Sequence, residues 1–326
     1  MIGRLTAIVR RFPRARLLVV GDLMLDQFIW GRVERISPAA PVPVVQVTAE
    51  SIHLGGAANV AANVRALGGR ADVVGVVGAD AHGRQVLREL GAIGVGVSGV
   101  VRGAGYATIR KTRILAHQQQ VVRLDREPAM TDARLAGRAA SRALAALDRF
   151  DGVVVSDYNK GVITPALLGA LAARCDSRPM LFIDPKKGNF AHYAGATLVK
   201  PNLEAASLAS GIDIVDDRSL RKAGEILIDR WRTQAVLISR GDAGMTLFRK
   251  GKKAEHFPTA AREVYDVTGA GDTVLATAAL ALASGASFEE AAVLANRAAG
   301  IVIGKIGTAT VSRDELVADL ARSARS

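Results

Sequence analysis

One stretch near the C-terminal end constrains this 326-residue chain more than any other: Asp266-Val267-Thr268-Gly269-Ala270-Gly271-Asp272-Thr273, running directly into Val274-Leu275-Ala276-Thr277-Ala278-Ala279-Leu280. The glycines permit a tight turn and close approach of a ligand, and the apolar run predicts a buried helix starting at Asp272 or just before it. Backbone amides converging at a helix N-terminus favour an anion. A carboxylate in that position, Asp272, is either a helix cap or a base beside a bound phosphate. Asp266 and Thr268, six and four residues earlier, make the stretch more specific than an isolated Gly-Ala-Gly-Asp.

Composition narrows the class. The single cysteine, Cys175, excludes an intrachain disulfide and fits a buried thiol in a reducing compartment. Residues 1–16 read as a short amphipathic helix with arginines between its apolar positions, unlike a signal core, and the longest apolar stretch is about half the ~20 residues a bilayer requires. A soluble, cytoplasmic protein without membrane partners is the expectation. The net charge of +12 raises nucleic acid as a partner, but the basic residues are spread along the chain and aromatics make up only 4%, so no nucleic-acid partner is expected.

Leu17-Leu18-Val19-Val20-Gly21-Asp22 predicts a buried parallel strand opening on a ligand crevice, with Asp22 facing a site or serving as a turn residue. Residues 27–54 contain closely spaced prolines, predicting short extended pieces in a small projecting sheet. Gly55-Gly56-Ala57-Ala58-Asn59 reads as a glycine turn entering a small-residue helix, where Asn59 offers a donor and an acceptor to a polyol. Strands are predicted at 72–78, 95–101, 107–115 and 120–125, the last three returning to the small sheet. From Gly152 onward, strands at 152–155, 181–183, 197–199 and 235–238 alternate with helices and each ends in polar residues. The expected fold is therefore an α/β, doubly wound, mostly parallel sheet forming one domain over 1–326, with lid pieces at approximately 24–54 and 94–125.

The string D-V-T-G-A-G-D resembles the C-terminal signature of ribokinase-like (PfkB-type) sugar kinases, and the Gly55-Gly56…Asn59 segment resembles their N-terminal one. Within that family, Val20 to Asp26, Glu34 to Val44, Lys111 to Leu115, Gln118-Gln119-Gln120, Ser156-Asp157-Tyr158-Asn159-Lys160-Gly161, Asp184-Pro185-Lys186, Ala261 to Asp266 and Asn296 to Gly300 resemble the bacterial D-glycero-β-D-manno-heptose-7-phosphate kinases. The resemblance covers Leu17 to Val311.

It implies ATP-dependent phosphorylation of O1 of the heptose 7-phosphate, a step toward lipopolysaccharide core heptose, with Mg²⁺ accompanying ATP. Asp272 would be the general base, and the amides of Gly269, Ala270 and Gly271 an anion hole. Asp22, Gly55, Gly56 and Asn59 would hold sugar hydroxyls, while Arg35, Lys111, Arg113, Lys160 and Lys186 are cations available to the 7-phosphate, each equally readable as a solvated surface charge. ATP would lie along Asn202, Ser239, Arg240, Gly241 and Gly244, with Val264 and Asn296 near the base and ribose, Asn296 being equally readable as a residue that caps or packs within its helix. The family also implies a K⁺ site bordered by Asp266 and Thr268, and the exposed strand edges of the projecting sheet lead to the expectation of a homodimer formed through the lid.

Two positions depart from the family pattern. The usual Asn-x-x-Glu becomes Asn202-Leu203-Glu204, placing Glu204 one position early for organising Mg²⁺, and Ala39 replaces the Glu of Ser-Pro-Glu-Ala-Pro. A kinase for another sugar, sugar phosphate or nucleoside remains a competing reading, as does a sugar-binding protein that has lost phosphoryl transfer.

Overall fold

Runs of aliphatic residues buried on both faces form the central sheet. In the computed structural model, which describes residues 2–117, 119–128, 132–175, 178–260, 265–305 and 307–322, helix α1 (Ile2–Val9) precedes strand β1 (Arg16–Gly21). A long hairpin of β2 (Leu23–Ile36) and β3 (Pro43–Gly56) leads into α2 (Ala57–Ala66), β4 (Arg70–Gly78), α3 (Ala81–Ala92) and β5 (Gly96–Gly103). Next come β6 (Ile109–Ala116), β7 (Gln119–Arg126), α4 (Ala133–Ala146), β8 (Gly152–Ser156), α5 (Pro165–Arg174), β9 (Met180–Asp184), β10 (Leu198–Val199), α6 (Leu203–Ser210) and α7 (Asp217–Trp231). The described chain ends with β11 (Ala235–Ser239), β12 (Met245–Arg249), β13 (Glu255–Phe257), α8 (Ala270–Ala283), α9 (Phe288–Val302) and α10 (Arg313–Arg322).

The large sheet has the order β13-β12-β11-β10-β9-β8-β1-β4-β5, parallel except for the antiparallel edge strands β12 and β13. Within β1, Leu17 and Val19 join the core on one face, while Leu18 and Val20 join that on the other. This two-faced burial explains its uninterrupted apolar sequence. Helix α8 is buried along its entire length from Asp272 to Ala283, as expected of a helix apolar on all sides.

The second sheet, ordered β3-β2-β6-β7, is the projecting lid. Two sequence expectations change here. The piece around 95–101 is not in the lid: β5 pairs in parallel with β4 at the edge of the large sheet. The proline-rich segment does not divide the lid into short pieces either, because β2 and β3 run 14 residues each and the prolines fall at their connection and at the start of β3.

The topology gathers several chain ends in one place. The carboxyl ends of β1, β8 and β9 face the N-terminal ends of α2 and α8, while the lid leaves from β1 and returns through Gly55 and Gly56. A ligand crevice beyond strand carboxyl ends is the general property of such sheets.

Candidate active site

At the start of α8, Gly269 has φ +81, and a Cβ there would lie 2.8 Å from Asn59 Nδ2. Glycine is required both for the turn and for the neighbour. The Ala270 amide donates to Val267 O at 3.2 Å, closing the turn, so an anion hole using this amide requires that bond to open. Gly271 lines the adjoining crevice.

Asp272 follows within the first helical turn and is 4% exposed. Asn59 Nδ2 donates to its Oδ2 at 2.8 Å, and the Tyr158 hydroxyl donates to its Oδ1 at 3.2 Å. Burial pushes its pKa up to about 7; the Asp184 and Asp26 carboxylates act in the same direction, against the Asn59 hydrogen bond and the Lys200 ammonium. Burial and the Asp272, Asp184 and Asp26 carboxylates raise the Tyr158 hydroxyl well above its ordinary value, keeping it a neutral donor. Asn59 is itself oriented: Asn63 Nδ2 donates to its Oδ1, and Thr273 Oγ1 donates to Asn63 Oδ1 at 2.9 Å. This buried polar chain joins α2 to α8 and aims one amide at the carboxylate.

The loop carrying Tyr158 is shaped by two buried carboxylates. Asp22 accepts from the amides of Tyr158 (2.9 Å), Lys160 (3.1 Å) and Val162 (3.3 Å). Asp157 accepts from Asn189 Nδ2 and the Tyr193 hydroxyl, both at 2.7 Å. Burial raises the pKa of Asp22 to about 6, against the pull of these amides.

Beside Gly271 opens a crevice of about 680 Å³, lined among others by Asp184, Lys186, Lys200, Asn202, Glu204, Ser239 and Gly241. Asn202 caps α6, accepting from the Ala205 amide at 2.8 Å. Lys200, almost wholly buried, faces Asp184 at 3.4 Å and lies beside Gly271.

A family model described as pfkB family carbohydrate kinase matches residues 14–315. The chain belongs to this family. As a pfkB carbohydrate kinase it is an ATP-dependent sugar kinase. It is 50% identical over 309 residues to the bifunctional protein HldE of Geobacter sulfurreducens, covering 93% of this chain and 62% of that protein. It is 47% identical over 320 residues to the protein of the same name from Citrifermentans bemidjiense, covering 96% and 66%. The chain thus spans under two thirds of the length of these curated relatives.

Solved structures share the fold. A ribokinase from Arabidopsis thaliana, complexed with ribose and ATP, superposes with a TM-score of 0.76 at 21% identity, covering 94% of this chain and 98% of that one. Phosphofructokinase-2 from Escherichia coli, in complex with substrates and products, gives 0.80 at 19% identity, covering 95% and 100%.

Eleven of the residues predicted for the pfkB site fall into two groups. Asp272, Gly269, Gly271, Asn59 and the loop bearing Lys160 come together, and Asn202, Ser239, Arg240, Gly241, Glu204 and Lys186 line the crevice. Asp22 is fully buried, and its carboxylate holds the 158–162 backbone. Gly55 and Gly56 are demanded by packing: a Cβ on Gly55 would sit 2.4 Å from Asp26 Oδ2, and one on Gly56 2.5 Å from Asp22 O.

Three further predicted residues are not among those lining the crevice. Arg35 lies exposed at the far end of β2, about 40 Å of strand from Leu23, because the hairpin is long and continuous. Gly244 does not line the crevice; its backbone packs against residues 257–259. Asn296 donates to Pro258 O at 2.6 Å, bracing the chain after β13. Val264, with 261–263, lies outside the described residues, as does Gln118. Asp266 does border a turn, accepting from the amides of Thr268 and Gly307.

Sequence reasoning assigned no role to Tyr158, Asp26, Asp184, Lys200 or Glu127. The first three stand in the quoted motifs. Lys200 is preceded by a strand and followed by Pro-Asn, a position that could have marked it.

Proposed function

We propose that this chain phosphorylates O1 of D-glycero-β-D-manno-heptose 7-phosphate, using ATP, to give the 1,7-bisphosphate. The observation that carries the reading is Asp272, buried at the start of α8 beside the crevice with Asn59 and Tyr158 on its two oxygens. The choice of heptose phosphate is supported by the sequence motifs and by identity of about one half to proteins named HldE. No helix among the described residues is long and apolar enough to cross a membrane.

Asp272 takes the proton of the anomeric hydroxyl as O1 bonds to the γ-phosphorus and the bond to the β,γ-bridging oxygen of ATP breaks, releasing ADP. The N-terminus of α8 at Gly269 to Gly271 faces the charge on the transferred group, and Lys200 adds a buried cation beside it. Positioning and electrostatics supply most of the catalysis in such transfers. The sugar lies between Asn59 and the lid, which excludes water. ATP occupies the crevice along Asn202, Ser239 and Gly241.

Among the described residues no three carboxylate, histidine or cysteine side chains gather around a metal position. That suits Mg²⁺, which takes one or two protein carboxylates together with substrate phosphates and water. Asp184 and Glu204, both on the crevice, are the residues to hold it, where it would neutralise phosphate charge. Asp266 and Thr268 are the proposed border of a K⁺ site. The lid exposes Ile36, Val42, Val47, Val121, Val122 and Leu124, an apolar set suited to a homodimer formed through this sheet.

The test is ATP-dependent phosphorylation of a panel containing heptose 7-phosphate, ribose, fructose 6-phosphate and adenosine with Mg²⁺. A kcat/KM for heptose 7-phosphate at least a hundredfold above the others is expected. Preference for another member would move the substrate to that sugar, and ATP binding without turnover of any would leave a binding protein.

A further inference from the structure

Five cations are candidates for the distal phosphate, and their surroundings separate them. Arg35 is at the lid tip. Arg113 is held by Asp26 at 2.5 Å and stacked over the Phe28 ring, while Asp26 is wedged against Gly55. Lys186 lies over the Tyr158 ring and lines the ATP crevice. Lys111 and Lys160 remain, and both turn to one carboxylate. Glu127 Oε1 accepts from Lys111 Nζ at 2.6 Å, and Oε2 accepts from Lys160 Nζ at 2.5 Å; Asp125 is 3.7 Å from Lys111.

The three residues come from different parts of the fold. Lys111 is on β6 of the lid, in register with Asp26, and Glu127 follows Arg126, the last paired residue of β7. Lys160 is on the body, in the loop whose Tyr158 touches the base; two residues span at most ~7 Å of backbone. All three side chains are mostly buried. Burial alone would raise the Glu127 pKa, but the two lysines outweigh it and hold the carboxylate ionised, below its ordinary range.

We infer that Glu127 is an internal stand-in for the distal phosphate of the substrate, holding Lys111 and Lys160 as a clamp that passes from its carboxylate to a phosphate monoester when a phosphorylated sugar binds. This rests on the reading of the chain as a sugar-phosphate kinase. A phosphate dianion carries more charge and one more acceptor oxygen than a carboxylate, so it competes for both ammoniums, whereas neutral hydroxyls cannot. Lysine is suited to the exchange because its compact charge sits on a flexible stem and imposes no bidentate geometry. Glu127 therefore determines specificity by positioning: it prevents two partly buried lysines from binding a weaker anion and sets a threshold that a sugar phosphate exceeds.

The experiment is Glu127→Gln, with binding of heptose 7-phosphate, dephosphorylated heptose and inorganic phosphate measured by calorimetry, alongside KM and kcat. Removal of the internal competitor should tighten both phosphate ligands at least threefold and leave the dephosphorylated sugar within twofold. The change should appear in KM for the phosphorylated sugar, and addition of Lys111→Met should abolish it. Glu127→Asp, too short to bridge both lysines, should show a smaller gain and serves if the Gln variant does not fold. Unchanged or weaker binding of both phosphate ligands overturns the inference; so does an equal loss for both sugars, which would make Glu127 a hydroxyl acceptor. If heptose 7-phosphate does not bind wild type but inorganic phosphate tightens in Glu127→Gln, the clamp stands and the substrate assignment falls.

Discussion

Asn59 donates to Asp272 at 2.8 Å across 213 positions of sequence, joining the N-terminal turns of two helices. This contact orients the base, opposes its rise in pKa, and forces the glycine at 269.

Replacing Asp272 by Asn removes the proton acceptor but nearly preserves its shape. General-base catalysis contributes about 10²–10⁴-fold. Steady-state kinetics of Asp272→Asn should show kcat reduced at least a hundredfold with ATP affinity, measured by calorimetry, within threefold of wild type. Near-normal turnover would remove Asp272 from the role.

The base must be ionised to act, and its pKa stands at about 7. Activity should therefore rise with pH through about 7. Asn59→Ala deletes a hydrogen bond that lowers this pKa, so the acidic limb of the kcat/KM profile should move to higher pH. A limb that stays in place would dissociate Asn59 from the titration of the base.

The same group affects stability with the opposite sign. In the folded protein Asp272 binds its proton more tightly than at its unfolded value of 3.8. Its stabilising contribution is complete below about pH 4 and is lost as pH rises through about 7. Thermal melts should therefore show Asp272→Asn more stable than wild type at pH 8, with the difference shrinking by pH 5.

Asp22 holds three loop amides from within the core. Asp22→Ala leaves buried donors unsatisfied, at about 1–3 kcal/mol each. Denaturant unfolding should show a loss of at least ~2 kcal/mol, and kcat/KM should fall because Tyr158 and Lys160 are displaced together. A variant with full stability would assign Asp22 to the ligand instead.

Gly269→Ala places a Cβ 2.8 Å from Asn59 Nδ2 at φ +81. Left-handed backbone costs a non-glycine residue roughly 1–2 kcal/mol. The expected outcome is a Tm lowered by several degrees and a kcat reduced at least tenfold; unchanged kcat would separate the Asn59 contact from catalysis.

Local patterns in the sequence determined the strands and the central helix. In β1, Leu17 to Val20 form a short apolar run suited to a strand buried on both faces, and the Gly-Ala-Gly-Asp turn entering an apolar helix defines the start of α8. These features depend on neighbours within a few residues, so they can be read along the chain. The tertiary structure alone decided what depends on distant partners. It placed β5 beside β4 and turned Asp22 onto backbone amides; it also directed Asn296 to Pro258 and closed Glu127 between two lysines. The cause is physical: a buried polar group takes whichever partner folding brings within about 3 Å, and periodicity carries no record of that partner.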